Sequence, residues 1–287
     1  MSPASPAPSA PLATGGAAGG ATGRMTRPRV GLLVTCLVDL FRPQAGFAAI
    51  ALLEAAGCEV VVPPAQTCCG QPAYNGGDRS DAIALAQRTI ELFEPFEHVV
   101  IPSGSCAGML RLHYPDLLAG DPAWAARAAA LAGRTVELTQ FLVQRGSSSP
   151  IDAEHDGAVA FHDSCSALRE TKSVAEPRLL LRAVRGLTLR DLADPEACCG
   201  FGGTFCVRYP AISDDMVTRK AADIVATSAG TLAACDLGCL LNIAGKLARE
   251  GSPVRCFHVA EILAGRSDAA AIGEAPQVPV PPDGGAR

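Results

Sequence analysis

The sequence predicts an α/β protein of two internally duplicated half-domains, each a small, mostly parallel sheet flanked by helices, related by quasi-two-fold symmetry. Three observations carry this expectation. A cysteine frame occurs twice, as Cys36, Cys68-Cys69-Gly70 and Cys106, and again as Cys165, Cys198-Cys199-Gly200 and Cys239. Matching landmarks are offset by a nearly constant 129, 130 and 133 residues. Each landmark also follows a short apolar run of strand length, and segments of helical period lie between the runs.

The elements follow in order. RVGLLVT leads into Cys36 and AVAFHDS into Cys165, so each first cysteine is expected where a strand ends. GCEVVVPPAQT precedes the first Cys-Cys-Gly triplet and GLTLRDLADPEA the second, placing each triplet beyond a second strand. After the first triplet, Ile83, Ala86, Ile90 and Phe93 recur at helical spacing, with Ser80 or Asp81 available as N-cap. After the second, Ser213 is expected to open a helix carrying Val217, Ala221 and Ile224 on one face, and Gly230 to stop it. HVVIPS before Cys106 and TLAACD before Cys239 read as strands, and ELTQFL (137–142) and HVAEIL (258–263) as short closing helices.

Composition bounds the rest. Residues 1–28 are Ala, Gly, Pro and Ser with almost no bulky side chain and read as a disordered leader, with Met25 an alternative start to Met1. The halves are expected at 29–150 and 151–267, and 268–287 as a disordered tail. Twenty-four Lys and Arg against 29 Asp and Glu give a net charge of −5 and no basic stripe, which argues against nucleic-acid binding. No apolar run reaches the ~18 residues of a membrane span, and the N-terminus lacks the basic and apolar regions of a secretory signal. A cytoplasmic location is expected. Twelve cysteines in 287 residues fall well below the ~8–10% of a secreted disulfide scaffold. In a reducing compartment they indicate metal or redox chemistry.

In parallel α/β sheets, ligands bind beyond the carboxyl ends of the strands. Both frames place their cysteines there, which brings four thiols to one edge of each half: Cys36, Cys68, Cys69 and Cys106, and Cys165, Cys198, Cys199 and Cys239. Four thiolates are a soft, closed donor set for zinc, copper(I) or an iron–sulfur cluster. Adjacent cysteines cannot easily aim both sulfurs at one small ion, whereas a polynuclear cluster spreads its metals over several ångströms. The glycine after each pair permits positive φ, so backbone N–H groups can turn toward sulfur. Metal-free packing of buried cysteines is the competing reading; core packing has no need to keep cysteine at matched positions twice.

The two C-x(31,32)-CCG-x(35,38)-C frames resemble the cysteine-rich CCG domain of the heterodisulfide reductases and of the glycolate oxidase iron–sulfur component. TCLVDLFRP, CCGQPAYNGG, PSGSCAGM, FHDSCSALRE, CCGFGGTFCV and DLGCLLNI are closer still to the lactate-utilisation A family. That resemblance, over about residues 29–265, implies a cytoplasmic iron–sulfur subunit that works with lactate-utilisation proteins B and C in oxidising L-lactate to pyruvate. It also implies one four-iron cluster per half, held by the eight frame cysteines. In the wider family each frame ends in C-x2-C, but here Ser103 and Asp236 occupy the first position of that pair. An unusual non-cubane cluster, an ordinary cubane and a site with an oxygen ligand are therefore all open.

Other residues carry weaker signals. Cys58 and Cys256 sit in apolar contexts and read as core. Cys206 and Cys235 lie close enough to the frames to be ligands or redox-active thiols, and His162, three residues before Cys165, is either a structural histidine or a contact of the cluster. Arg169 and Glu170 read as a solvated charge pair. His162, Asp163 and Arg169 form the densest polar group beside a frame cysteine, and no flavin or nicotinamide fingerprint is present. Two further function classes compete with electron transfer: a thiol–disulfide reductase-type subunit and a zinc-stabilised assembly scaffold.

Overall fold

The computed structural model describes residues 27–146 and 151–274. The expected leader up to residue 26, with Met25, and the tail from 275 lie outside the described residues. The first half runs β1 (Arg29–Leu32), α1 (Cys36–Phe41), α2 (Pro43–Ala55), β2 (Glu59–Val61), α3 (Gln71–Gly76), α4 (Arg79–Phe93) and β3 (His98–Ile101). A continuous helical run follows, with α5 (Gly104–Gly108), a π-helical turn (Met109–His113) and α6 (Tyr114–Leu118), then α7 (Pro122–Arg134), β4 (Thr135–Glu137) and α8 (Leu138–Gln144). The second half runs β5 (Glu154–His162), a π-helical turn (Ala167–Thr171), α9 (Ala175–Arg182), β6 (Arg185–Arg190), α10 (Phe205–Arg208), α11 (Pro210–Ala226), β7 (Thr231–Ala234), α12 (Leu237–Arg249), β8 (Arg255–His258) and α13 (Val259–Leu263).

Each half holds a four-stranded sheet, ordered β2-β1-β3-β4 and β6-β5-β7-β8, and every pairing is parallel. β3 and β7 are apolar runs covered on both faces, as a parallel sheet between helices requires. From β1 the chain crosses outward to β2 and returns past β1 to β3, and the second half repeats the path. The strand order therefore reverses between β1 and β3 and between β5 and β7. The crevice at the carboxyl ends of such a strand pair is where sheets of this class bind ligands.

One apolar cluster is shared by both halves. Leu52, Leu53, Leu138 and Phe141 from α2 and α8 pack with Leu180, Leu181, Ile262 and Leu263 from α9 and α13, all buried between the two sheets. Each sheet covers its other face separately, the first with α4, α6 and α7, the second with α11 and α12. Arg42 pairs with the fully buried Glu261 across the halves, its Nε donating at 3.0 and 3.2 Å. Among the described residues no helix is long and apolar enough to cross a membrane.

Several local expectations are corrected. The N-cap of α4 is Asp78, whose carboxylate accepts from the Asp81 N–H at 3.1 Å, and Ser80 bonds the same carboxylate from within the first turn. α11 opens at Pro210, a favoured first helical residue. Ser213 is buried inside that helix and donates to the Gly200 carbonyl at 2.9 Å. The helix ends before Gly230: Ser228 takes the left-handed conformation, at φ 58°. ELTQFL and HVAEIL each contain a strand end as well as a helix, because Glu137 closes β4 and His258 closes β8 and each caps the next helix with its own side chain. Of the expected tail, residues 268–274 are described: Ala271 is buried and Ile272 N–H donates to the Cys256 carbonyl at 2.9 Å.

Candidate metal centre

The eight frame cysteines meet at one place. Cys36 opens α1 just beyond β1, Cys68 and Cys69 end the loop after β2, and Cys106 lies in α5 just beyond β3. Cys165, Cys198, Cys199 and Cys239 occupy the matching points after β5, β6 and β7. All eight are free thiols and all eight line a single cavity of about 500 Å³ between the halves.

Within each half the sulfurs form a chain of contacts. Cys36 bonds Cys68, Cys68 bonds Cys69, and Cys69 Sγ lies 3.4 Å from Cys106 Sγ. Cys165, Cys198, Cys199 and Cys239 repeat it, with Cys199 and Cys239 sulfurs 2.9 Å apart. These contacts set the protonation pattern. Hydrogen bonds from Cys36 and Cys69 hold Cys68 down at about 3, with help from the Gly70 N–H. Hydrogen bonds from Cys165 and Cys199 hold Cys198 at about 2. Their partners are pushed up: Cys36 and Cys165 mainly by donating to those thiolates, and Cys69 and Cys199 by bonding neighbouring sulfurs and by burial. Cys239 is held at about 7, first by its bond with Cys199, with the His162 ring beside it.

The local chain explains the convergence. Gly70 and Gly200 adopt φ of 85° and 78°, and a Cβ at Gly200 would stand 2.7 Å from the Ser213 carbonyl. The Gly200 N–H points back to Cys198 Sγ at 3.4 Å, as expected of a glycine after the pair. Tyr114 Oη donates to the Cys69 carbonyl at 2.7 Å, and Asn242 Nδ2 to the Cys199 carbonyl at 2.8 Å, so a helix holds each cysteine loop. Nothing in the cysteine spacing points to these two residues. Thr35, just before Cys36, is held at φ 74°, a strained conformation for a β-branched residue.

The two positions that depart from C-x2-C touch each other. Ser103 Oγ donates to Asp236 Oδ1 at 2.6 Å, and the Ser105 N–H and hydroxyl donate to the same oxygen at 3.0 and 2.6 Å. Asp236 Oδ2 is buried, has no hydrogen-bond partner, and belongs to a residue lining the cavity. Glu170, read as half of a solvated pair with Arg169, instead bonds His113 across the halves at 3.1 Å and lines the cavity. Gly108 leaves it room, since a Cβ there would overlap the Glu170 carboxylate. Asp163 forms a bidentate pair with Arg178 at 2.8 and 2.6 Å.

The remaining cysteines stay apart. Cys58 and Cys256 are buried in apolar clusters, and Cys235 is buried beside Glu137, where burial pushes its thiol well up. Cys206 turns its sulfur to the Gly203 carbonyl at 3.4 Å. His162 is 1% exposed, and its ring nitrogens have no oxygen or nitrogen partner, only contact with the Cys239 sulfur. A ring nitrogen of His162 and the sulfurs of Cys199 and Cys239 lie within 4.8 Å of one another. Free soft donors in contact, with an imidazole beside them that meets only sulfur, suit a thiophilic metal or an iron–sulfur cluster.

The cysteine-rich CCG domain matches this sequence twice, at residues 30–111 and 159–244, once over each half. The chain belongs to the CCG cysteine-rich domain family. Among CCG relatives it is similar to lactate utilization protein A of Bacillus cytotoxicus, 45% identical over 239 residues covering 83% of this chain and all of that one. The counterparts of Shouchella clausii and Geobacillus kaustophilus are 47% and 46% identical, over 82% and 83% of this chain and 98% and 100% of theirs. A hypothetical protein from Helicobacter pylori has a similar fold, with a TM-score of 0.58 at 11% identity over 83% of this chain and 49% of that one. The paired CCG halves of the sequence are thus the two sheets of the structure.

Proposed function

We propose that the chain is an iron–sulfur electron-transfer subunit of a cytoplasmic system that oxidises L-lactate to pyruvate together with lactate-utilisation proteins B and C. The observation that carries this reading is the convergence of eight free thiols, four from each half, on one cavity. The relatives named for lactate utilization, at 45–47% identity over more than four fifths of the chain, supply the metabolic setting. When bound, iron–sulfur clusters supply one-electron acceptance at potentials set by ligand, charge and hydrogen bonding.

The chain's own residues define what the site can do. The frame sulfurs contact partners of their own half, Cys36–Cys68 and Cys69–Cys106 in the first and Cys165–Cys198 and Cys199–Cys239 in the second, which favours one four-iron cluster per half held by Cys36, Cys68, Cys69 and Cys106, and by Cys165, Cys198, Cys199 and Cys239. The Gly200 N–H donates to sulfur, and Tyr114 and Asn242 hold the loops that carry the paired cysteines. Among the described residues no Arg or Lys lines the cavity, whereas Asp236 and Glu170 do. A hydroxy-acid carboxylate entering it would meet those carboxylates and no Lys or Arg to pair with, and His113 is already engaged by Glu170. Substrate oxidation therefore belongs to a partner, and this chain receives the electrons.

The test is lactate-dependent reduction of an artificial acceptor by the cluster-loaded chain, with and without purified companion proteins. Turnover is expected only in the mixture, and turnover by the isolated chain at the same rate would sink the subunit reading. The close thiol pairs, with Cys68 and Cys198 held as thiolates, favour a second reading as a thiol–disulfide reductase-type subunit. Reduction of low-molecular-weight disulfides by the chain, with no lactate dependence, is its signature.

A further inference from the structure

The two halves are not equivalent at the metal centre. His162 is the last residue of β5, paired in register with Ala234 of β7, so the sheet fixes its backbone. The ring is buried, neither nitrogen has an oxygen or nitrogen partner, and it stands beside Cys199 and Cys239, in hydrogen-bonding contact with the Cys239 sulfur alone. Three other histidines are hydrogen-bonded. His258 engages the Pro102 and Cys235 carbonyls and the Ala260 N–H, His113 engages Glu170, and His155 engages Ser267. A buried imidazole whose nitrogens meet nothing of the polypeptide but a sulfur, a weak hydrogen-bond partner, is costly unless something absent from the polypeptide takes one of them.

The first half has no such donor at the matching position. The residue three before Cys36 is Leu33, 1% exposed and packed in the apolar cluster of its half. The four thiols, the glycine turn and the side chain holding each cysteine-pair carbonyl are all repeated.

We propose that His162 is a nitrogen ligand to iron in the second half alone, added to Cys165, Cys198, Cys199 and Cys239, so that the two clusters differ in donor set and in potential. The inference rests on the iron–sulfur reading above. A neutral imidazole adds no negative charge where a fifth thiolate would, and cluster potentials depend on ligand set and net charge. The two clusters are then electronically distinct, with the imidazole acting on the second-half cluster alone.

The experiment is pulsed EPR of the dithionite-reduced, anaerobically purified full chain, grown with natural-abundance or 15N-labelled histidine, with iron and sulfide measured on each sample. The expected result is a strong histidine-nitrogen coupling that changes with the label, disappears in His162→Leu, and persists in His113→Leu, a histidine that lines the cavity. In redox titrations of the wild type two separate reduction steps are expected, and His162→Cys should lower only one of them. Iron-loaded wild type without histidine coupling, or coupling that survives in His162→Leu, would overturn the ligand assignment while leaving the iron–sulfur reading standing. A wild-type chain that holds no iron would overturn both. Should His162→Leu fail to fold, loss of the histidine coupling in His162→Cys gives the same assignment, and its persistence there overturns it.

Discussion

Gly200 bears the sharpest single-residue constraint at the centre. A side chain there meets both a positive φ and the Ser213 carbonyl at 2.7 Å, whereas at Gly70 the nearest obstacle is the Leu85 Cβ at 3.3 Å. Left-handed backbone alone costs an L-residue roughly 1–2 kcal/mol. Gly200→Ala is therefore expected to destabilise the chain more than Gly70→Ala, read as the difference in urea midpoint at unchanged slope. Equal midpoints would mean that the Ser213 backbone moves away freely. Both glycines and all eight frame cysteines were legible in the sequence, because metal-binding chemistry and positive φ each admit few residue types. Tyr114 and Asn242 were not. They reach the cysteine carbonyls from 45 and 43 residues away, and a hydrogen bond to a distant backbone atom leaves no spacing pattern. The bond between Ser103 and Asp236 was equally hidden, although both residues stand out as departures from the cysteine pattern.

At the scale of elements, the three strands before the landmarks were legible, while β4 and β8 were not. These strands span Thr135–Glu137 and Arg255–His258 and run straight into helices, so neither shows a full alternating or apolar stretch of its own. Glu137 does both jobs. It ends β4 and its Oε2 accepts from the Thr139 and Gln140 N–H groups at 2.8 and 3.3 Å and from the Thr139 hydroxyl. Burial nevertheless raises its carboxyl from 4.5 to about 7, and Oε1 is unpartnered. The folded chain thus binds this proton more tightly than the unfolded one. Stability from this group is full below about 4.5, falls as pH rises between about 4.5 and about 7, and is not regained above that. A shift of this size corresponds to a loss on the order of 3 kcal/mol. Unfolding free energies at about pH 5 and about pH 8 are expected to differ in that direction, and Glu137→Gln should remove most of the difference. A wild-type slope of opposite sign would show that other groups dominate.

Across the whole molecule, the duplication gathers eight thiols at one place, since each half brings four to it and the shared core turns the two sets toward one cavity. The repeat was evident from the constant cysteine offset. That both cysteine edges would face one cavity was not, because the packing of one half on the other depends on α2, α8, α9 and α13, whose apolar faces carry no label for their partner. The Arg42–Glu261 pair fastens that interface. Arg42→Ala leaves the fully buried Glu261 without its cation, and a loss of ~3–5 kcal/mol is expected in denaturant unfolding. A loss below about 1 kcal/mol would place the strength of the interface in apolar packing alone. The most direct test of the central claim is the iron and acid-labile sulfide content per chain of anaerobically purified wild type and of the Cys68→Ser, Cys69→Ser double variant. Two clusters held by separate halves predict both elements in the wild type and about half of each in the variant. Zinc in place of iron, or loss of all iron from the variant, would contradict it.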